Sequence, residues 1–228
     1  MKILFTKKNI DKKLISQHFG EQMSYDALDV IRIHHLEMSP FDLKNKSLIF
    51  TSINGVESFF KNGFKPNENF TEVNYNKIYC VGQKTKHALR KHGFGTFKVK
   101  KHAKDLADFI IQNSQGEKFL HFCGNLALDI LDKTLPLQNI NYKKVVVYET
   151  ELTYPSLNAD NFDALVFFSP SGVKSFSKYN SLEGKVLFSI GQTTESELKK
   201  HTKNKIYTST ESNMDDLLSL IVRVLSKN

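Results

Sequence analysis

Short apolar runs bounded by turn residues alternate with amphipathic stretches along the entire chain. The runs predict strands at 3–6, 30–34, 47–51, 77–81, 97–99, 118–122, 144–148, 164–169, 185–190 and 205–208. Between them, apolar residues recur at helical spacing, as Val56, Phe59 and Phe60 do. These stretches predict helices at 12–20, 54–62, 84–92, 104–113, 126–135, 172–179, 194–201 and 214–227. Strand following helix through short connections predicts the α/β class, with parallel sheets covered by helices.

The pattern is written twice. Thr51-Ser52-Ile53-Asn54-Gly55-Val56 returns as Phe168-Ser169-Pro170-Ser171-Gly172-Val173, and Val81-Gly82-Gln83-Lys84-Thr85 as Ile190-Gly191-Gln192-Thr193-Thr194. Ile3-Leu4-Phe5-Thr6 matches Phe119-Leu120-His121-Phe122, Val30 to His34 match Val145 to Glu149, and the helix around Asp105 matches that around Asp216. The copies lie roughly 110 residues apart, too far for a solenoid repeat and about right for a duplicated domain. Two similar domains are expected, with a ligand between them. The segments before Pro40 and Pro155 hold equivalent places, so the chain either crosses between domains there or divides simply near Gln115.

Each doubled motif falls where a strand gives way to a helix, the edge at which open α/β sheets bind ligands. Ser52 and Ser169 (or Ser171) are placed as N-caps, and the free N–H groups of such a helix end attract anions. Each serine is read either as a cap alone or as a cap with a ligand beside it. Gly82 and Gly191 let strand turn into helix, with Thr85 and Thr194 in the first turn. These loops lack the glycine spacing of a P-loop or a dinucleotide fingerprint. Tyr148 ends the run Val145-Val146-Val147 and is expected at the sheet edge, with His34 as its counterpart in the other half. Its ordinary pKa near ~10 makes it a hydrogen-bond donor rather than a strong acid.

Composition narrows the reading. Of 228 residues 40% are apolar and 18 are Phe, enough for a core without Trp. No apolar run reaches the ~20 residues of a membrane span, and the N-terminus reads as a strand, not a signal peptide. The two cysteines, Cys80 and Cys123, lack metal spacing and read as reduced core thiols of a cytoplasmic protein. The eight His show no metal pattern. The net charge of +8 is scattered over helix faces and loop ends. It fits solvated surface or a polycarboxylate ligand better than nucleic acid, for which no recognition motif is present.

The ordered set Thr-Ser-x-Asn-Gly-Val, Val-Gly-x-x-Thr, Val-Tyr-Glu-Thr, Phe-Phe-Ser-Pro-Ser-Gly-Val and Ile-Gly-x-Thr-Thr, spanning 51–194, resembles the uroporphyrinogen-III synthase family. The resemblance implies two flavodoxin-like α/β domains joined by a two-stranded linker. One is then 1–34 plus 153–228, the other 39–149, with linkers near 35–38 and 150–152. It implies closure of linear hydroxymethylbilane to uroporphyrinogen III, with loss of water and inversion of the last pyrrole ring. No metal, cofactor, nucleic acid or membrane is needed, and the protein is expected to be a monomer. Tyr148 receives the catalytic role by this resemblance. Substrate binding goes to Ser52, Asn54, Gly55 and Thr85 in one half, and to Lys7, Ser169, Ser171, Gly172, Thr193 and Thr194 in the other. The chain departs from the family's pattern at Lys7, where Arg is frequent, and at Cys123-Gly124-Asn125, where a basic or glycine-rich turn is usual. A non-catalytic two-domain binder of a small polyanion and a flavodoxin-like module are the alternatives.

Overall fold

Residues 1–20, 23–158 and 161–226 are described in a computed structural model of the chain. The chain divides into two compact units, residues 1–32 with 151–228 and residues 33–150.

The first unit contains β1 (Lys2–Phe5), α1 (Lys12–Phe19) and β2 (Ser24–Ala27) from the N-terminal segment. β3 (Ile31–His35) then leads into the second unit. That unit contains β4 (Ser47–Phe50), α2 (Ile53–Lys61), β5 (Ile78–Val81), α3 (Gln83–Lys91), β6 (Lys98–Lys100), α4 (Ala103–Asn113), β7 (Lys118–Gly124) and α5 (Ile130–Leu137). β8 (Asn141–Leu152) leads back to β9 (Ala164–Phe167), α6 (Pro170–Phe176), β10 (Val186–Ser189), α7 (Gln192–Leu198), β11 (Ile206–Thr208) and α8 (Met214–Leu225).

One sheet has the order β2-β1-β9-β10-β11, every neighbouring pair parallel. The other runs β8-β7-β4-β5-β6, also parallel, with β3 added outside β8. The two five-strand cores share one spatial order but start at different points in the chain. Leu36 N–H donates to the Val147 carbonyl (3.0 Å) and Thr153 N–H to the Val30 carbonyl (3.2 Å). As one partner advances the other retreats, the register of an antiparallel pair.

Strand alternation sorts the core. Leu48 and Phe50 enter one buried cluster and Ile49 another; Ile3 and Phe5 enter one and Leu4 another. Each sheet is therefore buried on both faces, which is why β4 and β9 read as unbroken apolar runs. α2 lays Val56 and Phe59 on β4 and β7, with the Phe59 and Phe122 rings 4.7 Å apart. Full burial of such a ring stabilises by about 2–3 kcal/mol. α8 is capped by Asn213, which accepts the Asp216 N–H, and buries Leu217, Leu218, Ile221 and Leu225. Its expected end at residue 227 lies outside the described residues.

Three elements differ from the sequence expectation. β2 was not foreseen because Ser24-Tyr25-Asp26-Ala27 is a half-exposed edge strand without an apolar run. β8 is longer than 144–148 because its polar ends still pair. The helix expected from 126 begins at Ile130; Leu126 and Leu128 are 51% and 56% exposed in a turn that precedes it.

Candidate functional site

In residues 33–150 the end of β4 meets the middle of β8. Ser52 takes extended geometry (φ −153°, ψ 155°) and caps α2, its Oγ accepting the Gly55 N–H at 3.0 Å. The same oxygen lies 3.0 Å from the Tyr148 hydroxyl. Gly55 is required for space: a Cβ there would stand 2.7 Å from the Phe122 carbonyl oxygen. α2 thus sits close enough to β7 to aim its cap at Tyr148.

Tyr148 has its own seat. β7 and β8 slip register between Cys123 and Gly124, so that Gly124 opposes Tyr148. A Cβ on Gly124 would lie 2.5 Å from two carbons of the Tyr148 ring. Asn125 fastens the strand beyond: its N–H donates to the Tyr148 carbonyl (3.2 Å) and its side-chain oxygen accepts the Thr150 N–H (2.9 Å). Gly124 and Asn125 were not among the expected site residues. Their signal in the sequence is a Gly-Asn step directly after an apolar strand, the composition of a bulge and turn.

Burial raises the Tyr148 pKa; the Ser52 hydrogen bond opposes this and nearby Cys123 adds to it. The phenol is therefore an O–H donor at neutral pH. Burial likewise pushes the Cys123 thiol up to about 12 and Cys80 to about 11, so neither is a ready nucleophile.

The remaining expected residues of this unit differ in character. Asn54 is half-buried in the first turn of α2, whereas Thr85 is buried in α3. Gly82 before α3 has φ 85°, which suits glycine. A groove of about 370 Å³ along α2 and α3 is lined by Ile53, Glu57, Gln83, Lys84, His87, Ala88 and Lys91.

In the other unit the motif is repeated in geometry as well as letters. Ser169 (φ −160°, ψ 155°) caps α6 and accepts the Gly172 N–H at 3.0 Å. Ser171 lies inside the helix, its hydroxyl 3.1 Å from that of Ser169. Thr193 is exposed and Thr194 buried at the start of α7; Lys7 is exposed after β1. Gly191 is extended (φ 178°) rather than left-handed, and a Cβ there would meet the Ser212 hydroxyl at 2.6 Å. Its glycine serves close approach, not a turn.

Strand register also corrects one expectation. Ile3 pairs with Tyr25 and Phe119 with Tyr142, so Tyr25 and Tyr142 correspond. Phe5 pairs with Ala27 and His121 with Lys144, and β2 ends at Ala27; Tyr148 therefore has no counterpart on β2, and His34 lies on β3 of the other sheet. Among the described residues no three His, Cys, Asp or Glu side chains gather as metal ligands, and no helix is long and apolar enough to cross a membrane.

Known proteins resemble this chain over most of its length. The family described as uroporphyrinogen-III synthase HemD matches residues 24–219, most of the chain. Among solved structures, uroporphyrinogen-III synthetase from Helicobacter pylori is similar, with TM-score 0.63 and 22% identity over 98% of this chain and 99% of that one. A mutant uroporphyrinogen III synthase from the extremely thermophilic bacterium Thermus thermophilus gives TM-score 0.67 at 13% identity over the whole of both chains. At such identities these structures establish the shared two-domain α/β fold. No curated protein matches the chain in sequence. The family match extends from β2 into α8 and takes in both Ser-x-x-Gly caps and Tyr148, and by it this chain belongs to the uroporphyrinogen-III synthase family.

Proposed function

We propose that the chain closes linear hydroxymethylbilane to uroporphyrinogen III, and that Tyr148 assists departure of the substrate's hydroxyl group. Membership in a family of haem biosynthesis supplies the reaction. The observation that carries the residue assignment is the Tyr148–Ser52 contact of 3.0 Å on the glycine seat at Gly124. A phenol kept protonated by burial can hand a hydrogen bond to a leaving oxygen, and Ser52 holds it in place meanwhile. Loss of water with ring closure makes the reaction that of a lyase.

The substrate provides both the leaving group and the attacking carbon, and left alone it closes without inverting the last ring. The protein's task is then mainly geometric: to hold the one folded arrangement in which the hindered carbon attacks. Hydroxyls and helix N-termini suit a polycarboxylate held this way. Ser52, Asn54, Gly55 and Thr85 on one unit, with Lys7, Ser169, Ser171, Gly172, Thr193 and Thr194 on the other, are proposed to bind it. Lys7 would meet a carboxylate as a point charge, without the two-pronged contact of Arg. The working form is proposed to be a cytoplasmic monomer using no metal or cofactor.

The test is to supply hydroxymethylbilane and resolve the product isomers. Isomer III above the uncatalysed background is expected; isomer I alone, at the uncatalysed rate, would sink the assignment. Tyr148→Phe should lose much of the activity but not all. Full loss from Thr85→Ala with none from Tyr148→Phe would reverse their ranking.

A further inference from the structure

A polar chain with a buried histidine at its centre runs beneath the Ser52 cap. Lys144 Nζ donates to Asp132 Oδ2 (2.9 Å), and the Tyr142 hydroxyl donates to Asp132 Oδ1 (2.5 Å). His121 Nδ1 lies 2.7 Å from that same hydroxyl, and His121 Nε2 lies 2.9 Å from the hydroxyl of Thr51, the residue before Ser52. His121 is 1% exposed.

The proton positions follow from one end. Burial opposes ionisation of Asp132, but hydrogen bonds from Tyr142 and Lys144 outweigh it, and its pKa stays below the usual carboxylate value. An ionised carboxylate only accepts, so Tyr142 must donate to it. The Tyr142 oxygen then accepts from His121 Nδ1–H. Burial pushes the imidazole down to about 4, with Asp132 opposing and Lys144 adding, so the ring is neutral and Nε2 carries a lone pair. Thr51 must therefore donate inward.

The duplication supplies a control. Leu4 pairs with Leu165 and Leu120 with Leu48, while Ser169 and Ser52 hold the same cap. Phe5 consequently occupies the place of His121, Phe168 that of Thr51, and Tyr25 that of Tyr142. In that unit Phe5 packs edge-on against Tyr25 at 5.6 Å and stacks on Phe168 at 6.2 Å. An apolar aromatic cluster satisfies the fold at these positions. A polar chain around a buried histidine is the more demanding solution, since each desolvated polar group must find a partner.

We propose that His121 is a positioning residue for the reaction: anchored through Tyr142 to the Asp132–Lys144 pair, it fixes the Thr51 hydroxyl as an inward donor and so sets the Thr51–Ser52 turn that holds Tyr148. This rests on the synthase reading above. Thr51 is left with lone pairs to offer, so it can take a pyrrole N–H of the substrate but not a carboxylate.

The test combines nitrogen-15 NMR of the His121 ring with product-isomer analysis of Thr51→Val, Thr51→Ser, His121→Phe and the Thr51→Val/His121→Phe double variant. His121→Phe copies the side chain that the other unit uses and is chosen to fold. At neutral pH the wild-type ring should carry its proton on Nδ1 alone. Thr51→Val and His121→Phe should each lower formation of isomer III about tenfold, the worth of one oriented hydrogen bond, and the double variant should be no worse than either. Thr51→Ser should keep most activity. A proton on Nε2, additive losses, or a Thr51→Val protein of wild-type rate and isomer ratio would each overturn the proposal. Should His121→Phe fail to fold, Thr51→Val and the ring spectrum still decide it. Wild-type protein making only isomer I would instead sink the synthase reading, and this role with it.

Discussion

At the scale of single residues, Tyr148 and its supports make separable predictions. Gly124→Ala would put a methyl group into the Tyr148 ring. The ring must move, so activity should fall to the level of Tyr148→Phe or below, with stability reduced by about 1–3 kcal/mol in a denaturant melt. His121 governs a pH effect. Its folded pKa of about 4 lies below the ordinary value of 6.5, so the unfolded chain takes up the proton first as pH falls. Stability contributed by keeping the ring neutral is complete above pH ~6.5 and is lost on descending towards pH ~4, a span on the order of 3 kcal/mol. Melting temperature followed from pH 7 to 4 should show this decline, and His121→Phe should flatten it. The strand position of Tyr148 was legible in the sequence because it closes an apolar run, while its proposed role came from the family resemblance. Gly124 and Asn125 announce only a bulge or turn, and His121 not even that, since the contacts they make depend on a register slip and on partners from other strands. His121 in particular reads as one more member of a strand.

Among elements, the two capped helices look alike in sequence yet differ in tolerance. At Gly55 an added Cβ meets backbone, the Phe122 carbonyl oxygen at 2.7 Å. At Gly172 it meets only side-chain atoms, Ser169 Oγ and Val30 Cγ2, each at 3.2 Å. Gly55→Ala should therefore cost about 1–3 kcal/mol and disturb the Ser52–Tyr148 contact, whereas Gly172→Ala should cost less than about 1 kcal/mol. Parallel chemical denaturation of the two variants would reveal the asymmetry; equal costs would contradict it. The buried strands were legible because two covered faces demand unbroken apolar runs, as in Leu48-Ile49-Phe50. The edge strand β2 was hidden by its polar residues. The helix expected from 126 starts later because Leu126 and Leu128 stand at helical spacing from Ile130 and Leu131 while the preceding Asn125 is tied to Thr150.

For the whole molecule, the matched strand orders explain how the repeats could be read in sequence although the units begin at different strands. Local motifs travel with their strand–helix junctions and survive a change in connection. Each unit also has buried clusters on both faces of its sheet. A fragment of residues 31–152, which keeps β3 and β8 whole, should show α/β circular dichroism and a cooperative thermal transition; a featureless melt would show that it needs the rest of the chain. The other unit is assembled from both chain ends, and that has a cost in time during synthesis. β1 lies between β2 and β9, yet β9 is made only after the whole of the other unit. At translation speeds of about 5–20 residues per second, the first strand waits roughly 10–30 seconds for its second neighbour. Throughout that interval Ile3, Leu4 and Phe5 belong to an unfinished sheet, its apolar residues lacking the β9 neighbour that later covers that edge.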